Sequence, residues 1–281
     1  MSARKTIELS PPPSIETLLA RRGFICGGIG NESQIVKPKV KDYRITREYN
    51  ELLGHYSFRK ILRHLSARVE AVRCKELLSM CDKPTLVKYE DFLVRSDILE
   101  ISKNKTWTIK DQVANFGHTL EWYISKLLNE KLDAISGWGI KIEENPVGGD
   151  YDVLGFLDSI MLYIECKTSR PDNVTGSEIR NFLQRREELT PELTIMLVDT
   201  DSALNQLLDK FRGILVPKLG DLSILEIKSN VVYIENVRVM VTNNQPSIYK
   251  AILHCLRFYN RYIKNSPWAT MYEPIDYIKK D

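Results

Sequence analysis

The chain contains no apolar run that approaches the roughly 20 residues needed for a helix to cross a membrane, so no transmembrane segment is expected. The N-terminal Met-Ser-Ala-Arg-Lys-Thr lacks the apolar stretch of a secretory signal, which favours a cytoplasmic location. No Cys-x-x-Cys pair occurs among the five cysteines, and the four histidines show no ligand spacing. These absences argue against a zinc site, an iron–sulfur site or a disulfide framework, and they favour a reducing compartment.

The composition is that of an ordinary globular protein, with 281 residues, 43% of them hydrophobic and 27% charged. The net charge of +3 is unevenly spread. Residues 1–112 hold 21 Lys and Arg against 14 Asp and Glu, and the remaining residues hold 19 against 23. A basic first part favours binding to a polyanion such as a nucleic acid, although a soluble surface accounts for the same charge.

Two apolar runs at residues 152–157 and 160–167 predict two β-strands, because both are rich in aliphatic and aromatic residues. Asp158 and Ser159 between them suit a tight turn. If these two residues form the whole loop, the strands are antiparallel neighbours and their register is fixed.

In that register Asp152 lies directly opposite Glu165, with Cβ atoms about 5 Å apart on one face of the sheet. Lys167 is two residues beyond Glu165 and points to the same face, whereas Cys166 points to the other. Two carboxylates this close repel each other unless a cation lies between them.

This arrangement suits metal-assisted phosphodiester hydrolysis. Mg²⁺ prefers oxygen ligands, often one or two carboxylates together with waters and a substrate phosphate. Lys167 would orient or deprotonate the attacking water, or neutralise charge that grows on phosphorus. The alternative is a surface hairpin with an ordinary salt bridge.

These residues resemble the PD-(D/E)xK, or restriction-endonuclease-like, nuclease superfamily. The matching motif is Gly-Gly-Asp-Tyr-Asp-Val at 148–153 followed by Glu-Cys-Lys at 165–167. Residues 115–122 resemble the first helix of the family, and residues 177–185 resemble the helix after the motif. The resemblance implies an α/β fold, with a mixed sheet flanked by helices. It departs from the family motif at Tyr151, where a proline often precedes the aspartate.

The resemblance also implies roles for individual residues. Asp152, Glu165 and the main-chain carbonyl of Cys166 would bind Mg²⁺, for which Mn²⁺ would substitute, and Lys167 would be catalytic. Glu121 on the first helix would reach the metal site as a further catalytic and metal-binding residue. On the later helix, the residues that would contact the phosphate are Gln184 and Arg185.

Glu121 also has an interpretation from helical spacing alone. It lies beside an apolar stripe that predicts a helix from residue 111, formed by Val113, Phe116, Leu120, Ile124 and Leu127. A glutamate at the edge of a buried face can reach a metal on the sheet. The alternative is a solvated surface charge. Gly117, one turn earlier, is expected to let this helix approach the sheet closely.

Residues 57–110 predict a mainly helical, winged-helix-like domain. One helix is indicated by apolar spacing at 58–65, a second by spacing at 71–78, and a third opens at Pro84 and runs through Arg95. Alternation at 99–101 and 107–109 predicts a hairpin with a basic tip. Many domains of this kind bind DNA and others bind protein. The candidate nucleic-acid contacts are Lys83, Lys88, Arg95, Lys103 and Lys105.

Outside these segments the sequence is less specific. Residues 1–56 are interpreted as an N-terminal arm or extension. From residue 193 the pattern is again α/β, and Asp199 in Asp-Thr-Asp is expected to cap a helix. Residues 111–281 are therefore predicted to form the nuclease domain.

The function favoured by the sequence is Mg²⁺-dependent endonuclease cleavage of DNA, of a restriction, junction-resolving or transposon type. RNA processing is not excluded as an alternative. A nucleic-acid-binding regulator with a catalytically silent nuclease fold is a further alternative. A homodimer is possible, and no membrane partner is expected.

Overall fold

A computed structural model describes residues 12–68, 70–110, 113, 115–143 and 147–264. Its architecture is mixed α/β, with one eight-stranded sheet, one three-stranded sheet and helices on both faces of the larger sheet. The predicted fold class is confirmed at this level. None of the described helices is long and apolar enough to span a membrane.

The elements follow one another along the chain with short connections. The α-helices are α1 (Ile15–Ala20), α2 (Tyr43–Leu53), α3 (Tyr56–Ser66), α4 (Cys74–Leu77), α5 (Lys83–Arg95), α6 (Gly117–Leu132), α7 (Gly176–Leu189), α8 (Asn205–Leu219) and α9 (Ile248–Phe258). The strands are β1 (Cys26–Gly28), β2 (Val72–Arg73), β3 (Leu99–Ile101), β4 (Thr106–Ile109), β5 (Ile135–Ile142), β6 (Tyr151–Leu157), β7 (Ile160–Lys167), β8 (Leu193–Val198), β9 (Ile224–Lys228), β10 (Val231–Ile234) and β11 (Val239–Asn243).

The large sheet has the strand order β1-β5-β6-β7-β8-β11-β10-β9. Its central strands β7, β8 and β11 are parallel, and the strands on either side pair antiparallel. A parallel centre that is covered on both faces explains the almost wholly apolar sequences of β7 and β8. The carboxyl ends of the three parallel strands meet at one edge.

Two hydrophobic clusters cover the two faces of the sheet. One face packs against α6, α9 and the helices of residues 43–95, in a cluster that joins Tyr49 and Phe58 to Ile164 and Ile195. The other face packs against α1, α7 and α8, with Phe182 and Phe211 at its centre. The N-terminal helices therefore share a continuous core with the sheet.

Residues 12–56 contribute directly to this body. Ile15 and Leu19 of α1 are buried in the second cluster, and β1 pairs with the edge of β5. Gly30 lies so close to Trp138 that a Cβ atom there would be 2.3 Å from the indole ring. A side chain at residue 30 would therefore collide with an aromatic ring.

The helices and strands of residues 56–109 follow the predicted order with one correction. α3, α5, β3 and β4 lie where the sequence predicts them. The predicted second helix is wrong in extent, because Val72 and Arg73 form β2 and only one helical turn follows. Val72 pairs with Trp107 on β4, and this tertiary pairing overrides the local helical spacing.

The prediction that Asp199 caps a helix is also wrong. Its carboxylate lies 2.6 Å from Nη2 of Arg59, and each side chain is 1% exposed. Asn244 Nδ2 donates to the same carboxylate at 2.9 Å, and Arg59 Nη1 donates to the Leu53 carbonyl at 2.6 Å. The N-cap position of α8 is held by Leu204 instead.

Removing one partner of this pair is expected to destabilise the protein strongly. Arg59→Leu leaves Asp199 buried without its counter-charge, and such changes cost about 3–5 kcal/mol of unfolding free energy. The measurement is urea unfolding of the parent, Arg59→Leu, Asp199→Leu and the double variant. The double variant should lose much less unfolding free energy than the sum of the losses in the two single variants.

The matched control is Arg47→Leu, which removes an exposed pair with Glu51 on α2. Exposed helical pairs contribute about 0.3–0.5 kcal/mol, so this variant should unfold close to the parent. Equal small losses in Arg59→Leu and Arg47→Leu would contradict a structural role for the buried pair.

Candidate active site

The hairpin formed by β6 and β7 sets the geometry of the site. Asp158 and Ser159 form its turn, and Asp158 takes the left-handed φ of 53° that aspartate tolerates better than most residues. Pairing runs from Leu157–Ile160 to Val153–Ile164, so the predicted register is confirmed. Asp152 and Glu165 are each the next residue beyond the last of these pairs.

The Asp152 side chain bonds to the main chain of the neighbouring strand. The N–H of Cys166 donates to Asp152 Oδ2 at 2.7 Å. This bond holds the carboxylate between the two strand ends, beside Glu165. Burial raises the pKa of Asp152 well above its usual value, and the charges of Glu165 and Glu121 raise it further.

Glu165 is the centre of the polar cluster and is only 1% exposed. Arg185 Nη2 lies 3.0 Å from both of its carboxylate oxygens. Lys167 Nζ lies 2.9 Å from Oε1, and the Tyr163 hydroxyl donates to Oε2. The carboxylate is therefore held by two cations and one phenol in this structure.

Lys167 bridges two carboxylates. Its Nζ lies 3.3 Å from Glu178 at the start of α7, in addition to its contact with Glu165. Burial by itself lowers the pKa of Lys167, but Glu165 and Asp152 outweigh burial and leave the pKa above its usual value. The ammonium is thus charged and fixed over the site.

Glu178 is a site residue that the sequence reasoning missed. It closes a capping box with Thr175, whose hydroxyl accepts from the Glu178 N–H while the Glu178 side chain accepts from the Thr175 N–H. The pattern Thr-x-x-Glu before an apolar run signals such a helix start. The capping box fixes the residue at which α7 begins. This start of the helix places Glu178 beside Lys167.

Glu121 is buried, with 8% of its surface exposed, so the alternative of a solvated surface charge is wrong. The apolar stripe next to it packs α6 against β5, β6 and β7. Burial raises the pKa of Glu121 to about 8, and the charges of Asp150 and Glu165 contribute to the rise. Glu121 therefore lies within the electrostatic reach of the carboxylates on the sheet.

The start of α6 differs from the expectation. The helix begins at Gly117, and residues 111, 112 and 114 lie outside the described part of the chain. A Cβ atom on Gly117 would lie 2.5 Å from Asn115 Oδ1 and 3.5 Å from Glu121 Oε1. The glycine makes room for the Asn115 side chain, which accepts from the Gly117 N–H, and not for contact with the sheet.

The residues proposed as nucleic-acid contacts differ in their surroundings. Arg185 lies inside the site and binds Glu165. Gln184 is exposed on α7 and contacts Glu188 at 3.4 Å. Arg95 is exposed but ion-paired with Glu48 and Asp91. The remaining side chains are exposed lysines on α5 and at the hairpin tip, namely Lys83, Lys88, Lys103 and Lys105.

The donor chemistry of the site fits a hard divalent cation. Four carboxyl groups, from Glu121, Asp152, Glu165 and Glu178, lie around the two cations Lys167 and Arg185, so acidic side chains outnumber basic ones. Burial raises the pKa of the Cys166 thiol, and the residue packs in the core of the opposite face. The side-chain atoms available to bind a metal ion are therefore oxygens, which are the ligands that Mg²⁺ prefers.

No group of three Asp, Glu, His or Cys side chains in the described part of the chain is close enough to hold a metal ion unaided. A Mg²⁺ ion commonly takes only one or two protein carboxylates and completes its shell with waters and phosphate. Asp152 and Glu165 are two carboxylic side chains that lie close enough for the charge of Glu165 to raise the pKa of Asp152.

No protein-family model matches this chain, and no curated protein matches its sequence. Can2 from Sulfobacillus thermosulfidooxidans, solved in complex with cyclic tetra-adenylate, is similar in structure, with a TM-score of 0.52 and 14% sequence identity over 88% of this chain. VC1899 from Vibrio cholerae has a TM-score of 0.49 and 14% identity over the same share. The chain spans 62% of the length of each. The likeness to Can2 shows a shared fold.

Replacing Glu121 with glutamine is expected to change how stability depends on pH in metal-free, EDTA-containing buffer. Between the ordinary glutamate pKa near 4.5 and about 8, the folded protein binds more protons at Glu121 than the unfolded chain does. The free energy of unfolding of the parent therefore falls as pH rises through this window. The part of this loss that comes from Glu121 should be on the order of a few kcal/mol and should be absent in Glu121→Gln, whereas the part that comes from Asp152, whose pKa is also raised, should remain.

The measurement is urea unfolding at several pH values from 4 to about 9. Glu130→Gln, an exposed residue on the same helix, serves as the control and should follow the parent. Parallel curves for the parent and Glu121→Gln would show that Glu121 does not share the field of the site.

Proposed function

We propose that this protein is a metal-dependent phosphodiesterase of the PD-(D/E)xK type that cleaves nucleic acid, with DNA as the favoured substrate. The observation that carries the proposal is the convergence of Asp152, Glu165 and Lys167 where β6 begins and β7 ends. A purely structural hairpin has no use for a buried carboxylate pair with a charged lysine fixed beside it. The likeness to Can2 supports the mixed α/β fold on which the proposal is built.

The residues would divide the chemistry between them. Asp152, Glu165 and the Cys166 carbonyl would hold Mg²⁺, which supplies Lewis-acid polarisation of the phosphodiester when bound. Lys167 would orient the attacking water and offset charge that develops on phosphorus. Arg185 reaches the same point from α7 and is suited to a phosphate oxygen, because a guanidinium donates through a planar fork.

The partner follows from the charge of the N-terminal part. Lys83 and Lys88 on α5 and Lys103 and Lys105 at the hairpin tip are exposed, which suits contacts to a phosphate backbone. Can2 is in complex with cyclic tetra-adenylate, itself built of phosphodiester-linked nucleotides, and this supports a nucleic-acid-like partner.

A second function is favoured by one specific observation. Glu165 is already satisfied by Arg185, Lys167 and Tyr163, which suits a regulator that binds nucleic acid on a silent nuclease fold. RNA in place of DNA is the further alternative. Cleavage assays with duplex, branched and single-stranded DNA and with RNA, each with Mg²⁺ or EDTA, separate these functions.

Asp152→Asn is expected to abolish Mg²⁺-dependent cleavage of plasmid DNA, because one of two proposed metal-binding carboxylates is lost. Its matched control is Asp158→Asn in the exposed hairpin turn, where asparagine tolerates the same left-handed backbone. That variant should cut like the parent. Full activity of Asp152→Asn in Mg²⁺ would remove Asp152 from the site.

Lys167→Ala is expected to lower the cleavage rate by about 10²–10³-fold while Mg²⁺ affinity, measured by calorimetry, stays close to that of the parent. The reason is that the ammonium acts on water and phosphate, not on the ion. Loss of Mg²⁺ binding as complete as in Asp152→Asn would assign Lys167 to the metal site instead.

Changing Lys83, Lys88, Lys103 and Lys105 together to glutamine is expected to weaken DNA binding and flatten its salt dependence. Each lost phosphate contact should reduce the slope of log K against log salt by about 0.9. The measurement is fluorescence anisotropy with a labelled duplex in EDTA at several salt concentrations.

The control has the same loss of charge at four exposed lysines elsewhere, Lys131, Lys141, Lys218 and Lys228. Its slope should stay near that of the parent. Equal slopes in both quadruple variants would show that α5 and the hairpin tip do not form the DNA surface and would favour a protein partner for them.

A further inference from the structure

A cavity of about 330 Å³ lies at the end of the sheet opposite to the candidate active site. It opens beside the first residues of β8 and β11, whereas Lys167 and its parallel partner Val198 lie at the carboxyl ends of the strands. The residues that line the cavity include Arg186, Glu192, Arg238, Tyr259, Ile263 and Lys264.

The cavity gathers positively charged side chains. Arg186 and Arg238 both line it, and in the described ranges neither makes an ion pair with a carboxylate. The Nε atom of Arg186 is buried without a hydrogen-bond partner among these residues. Lys264 adds a third cation at the cavity wall.

The one carboxylate in the wall, Glu192, is already used. Its Oε1 lies 2.9 Å from Arg22 Nη2, and its Oε2 accepts from the Met161 N–H at 2.7 Å. Burial lowers the pKa of Arg186, the charge of Glu187 opposes this, and the charge of Arg238 adds a smaller lowering effect. The two guanidinium groups thus repel each other across a partly dehydrated space.

An anion between these arginines would relieve the repulsion and satisfy the buried Nε donor. Guanidinium groups match phosphate oxygens in fork geometry, and such charge-assisted bonds are stronger than neutral ones. Tyr259 and Ile263 supply an aromatic and an aliphatic wall, and the volume is at the lower end for small-ligand sites. These features fit a nucleotide better than a bare anion.

We propose that this cavity is a second binding site, for a phosphate group carried by a nucleotide, with Arg186 and Arg238 as its anion-binding residues. The phosphate belongs either to a free nucleotide or to the backbone of a nucleic acid. The proposal does not depend on cleavage activity, because none of these residues lies at the candidate active site.

Helix α7 links the two sites. Consecutive residues on a helix point about 100° apart, so Arg185 and Arg186 face different surroundings. Arg185 reaches Glu165, and Arg186 reaches the cavity. A ligand in the cavity would therefore bind Arg186. This residue is next in sequence to Arg185, which holds the Glu165 carboxylate of the candidate active site.

The test uses the full chain in phosphate-free buffer with EDTA, so that no divalent cation is held at the candidate active site. Inorganic phosphate, adenosine monophosphate and a short single-stranded DNA are titrated separately by calorimetry. Arg186→Gln and Arg238→Gln should each weaken binding by about tenfold or more, since each removes a hydrogen bond between charged groups. Arg212→Gln, an exposed arginine on α8 outside the cavity, should bind like the parent.

The pattern of losses identifies the source of the phosphate. Weakened adenosine monophosphate binding in both variants supports a free nucleotide, and weakened binding of the DNA alone supports a backbone phosphate. Arg186→Lys should retain part of the affinity, and thermal unfolding without ligand checks that the variants fold. If no probe distinguishes the parent from Arg186→Gln and Arg238→Gln, the cavity is not a phosphate site and the proposal is overturned.

Discussion

The buried pair of Arg59 and Asp199 joins parts of the chain that are 140 residues apart, and the candidate active site depends on that junction. Asp199 directly follows β8, and its N–H donates to the Lys167 carbonyl at 2.7 Å. One turn along α3, Arg63 donates to the Thr168 carbonyl. The ends of β7 and β8 are therefore held from the same helix. A pair so completely removed from water stabilises through geometry and added hydrogen bonds, since desolvation offsets much of its attraction.

Charge balance is the second constraint on the site. Glu165 is stable in the core because Arg185, Lys167 and Tyr163 surround it, but within the described residues no cation lies at ion-pair distance from Asp152 or Glu121. Burial and mutual repulsion raise the pKa of both, which is the expected response of carboxylates gathered without a counter-ion. Active sites often retain such unfavourable electrostatics. A ligand that relieves the repulsion gains binding free energy at the expense of stability that the fold lacks without it.

The hairpin and the first site helix were predictable because their signals are local. A two-residue turn and a period of two fix the pairing of Asp152 with Glu165, and an apolar stripe fixes the buried side of α6. Other features depend on partners far away in sequence. No local pattern indicates that Val72 pairs with Trp107 or that Asp199 meets Arg59.

The same limit applies to the details of the site. Arg185 was identified by resemblance as a phosphate contact, but its bond to Glu165 arises from the way α7 packs on β7. Glu178 is recognisable as a capping residue, and its contact with Lys167 follows only once the helix end is placed over the strand. The pairing of β1 with β5 was not predictable for a similar reason, since a three-residue strand has no periodicity to read.

The two outer strands of the large sheet bear on how copies of this chain can associate. β1 has only three residues and an irregular register against β5. β9 places Glu226 and Lys228 toward solvent at the other margin. Edge strands that are short, irregular or charged disfavour main-chain pairing with the sheet of a neighbouring molecule. A dimer that cuts both strands of a duplex would therefore have to join through helical or loop surfaces, leaving each sheet closed within its own subunit.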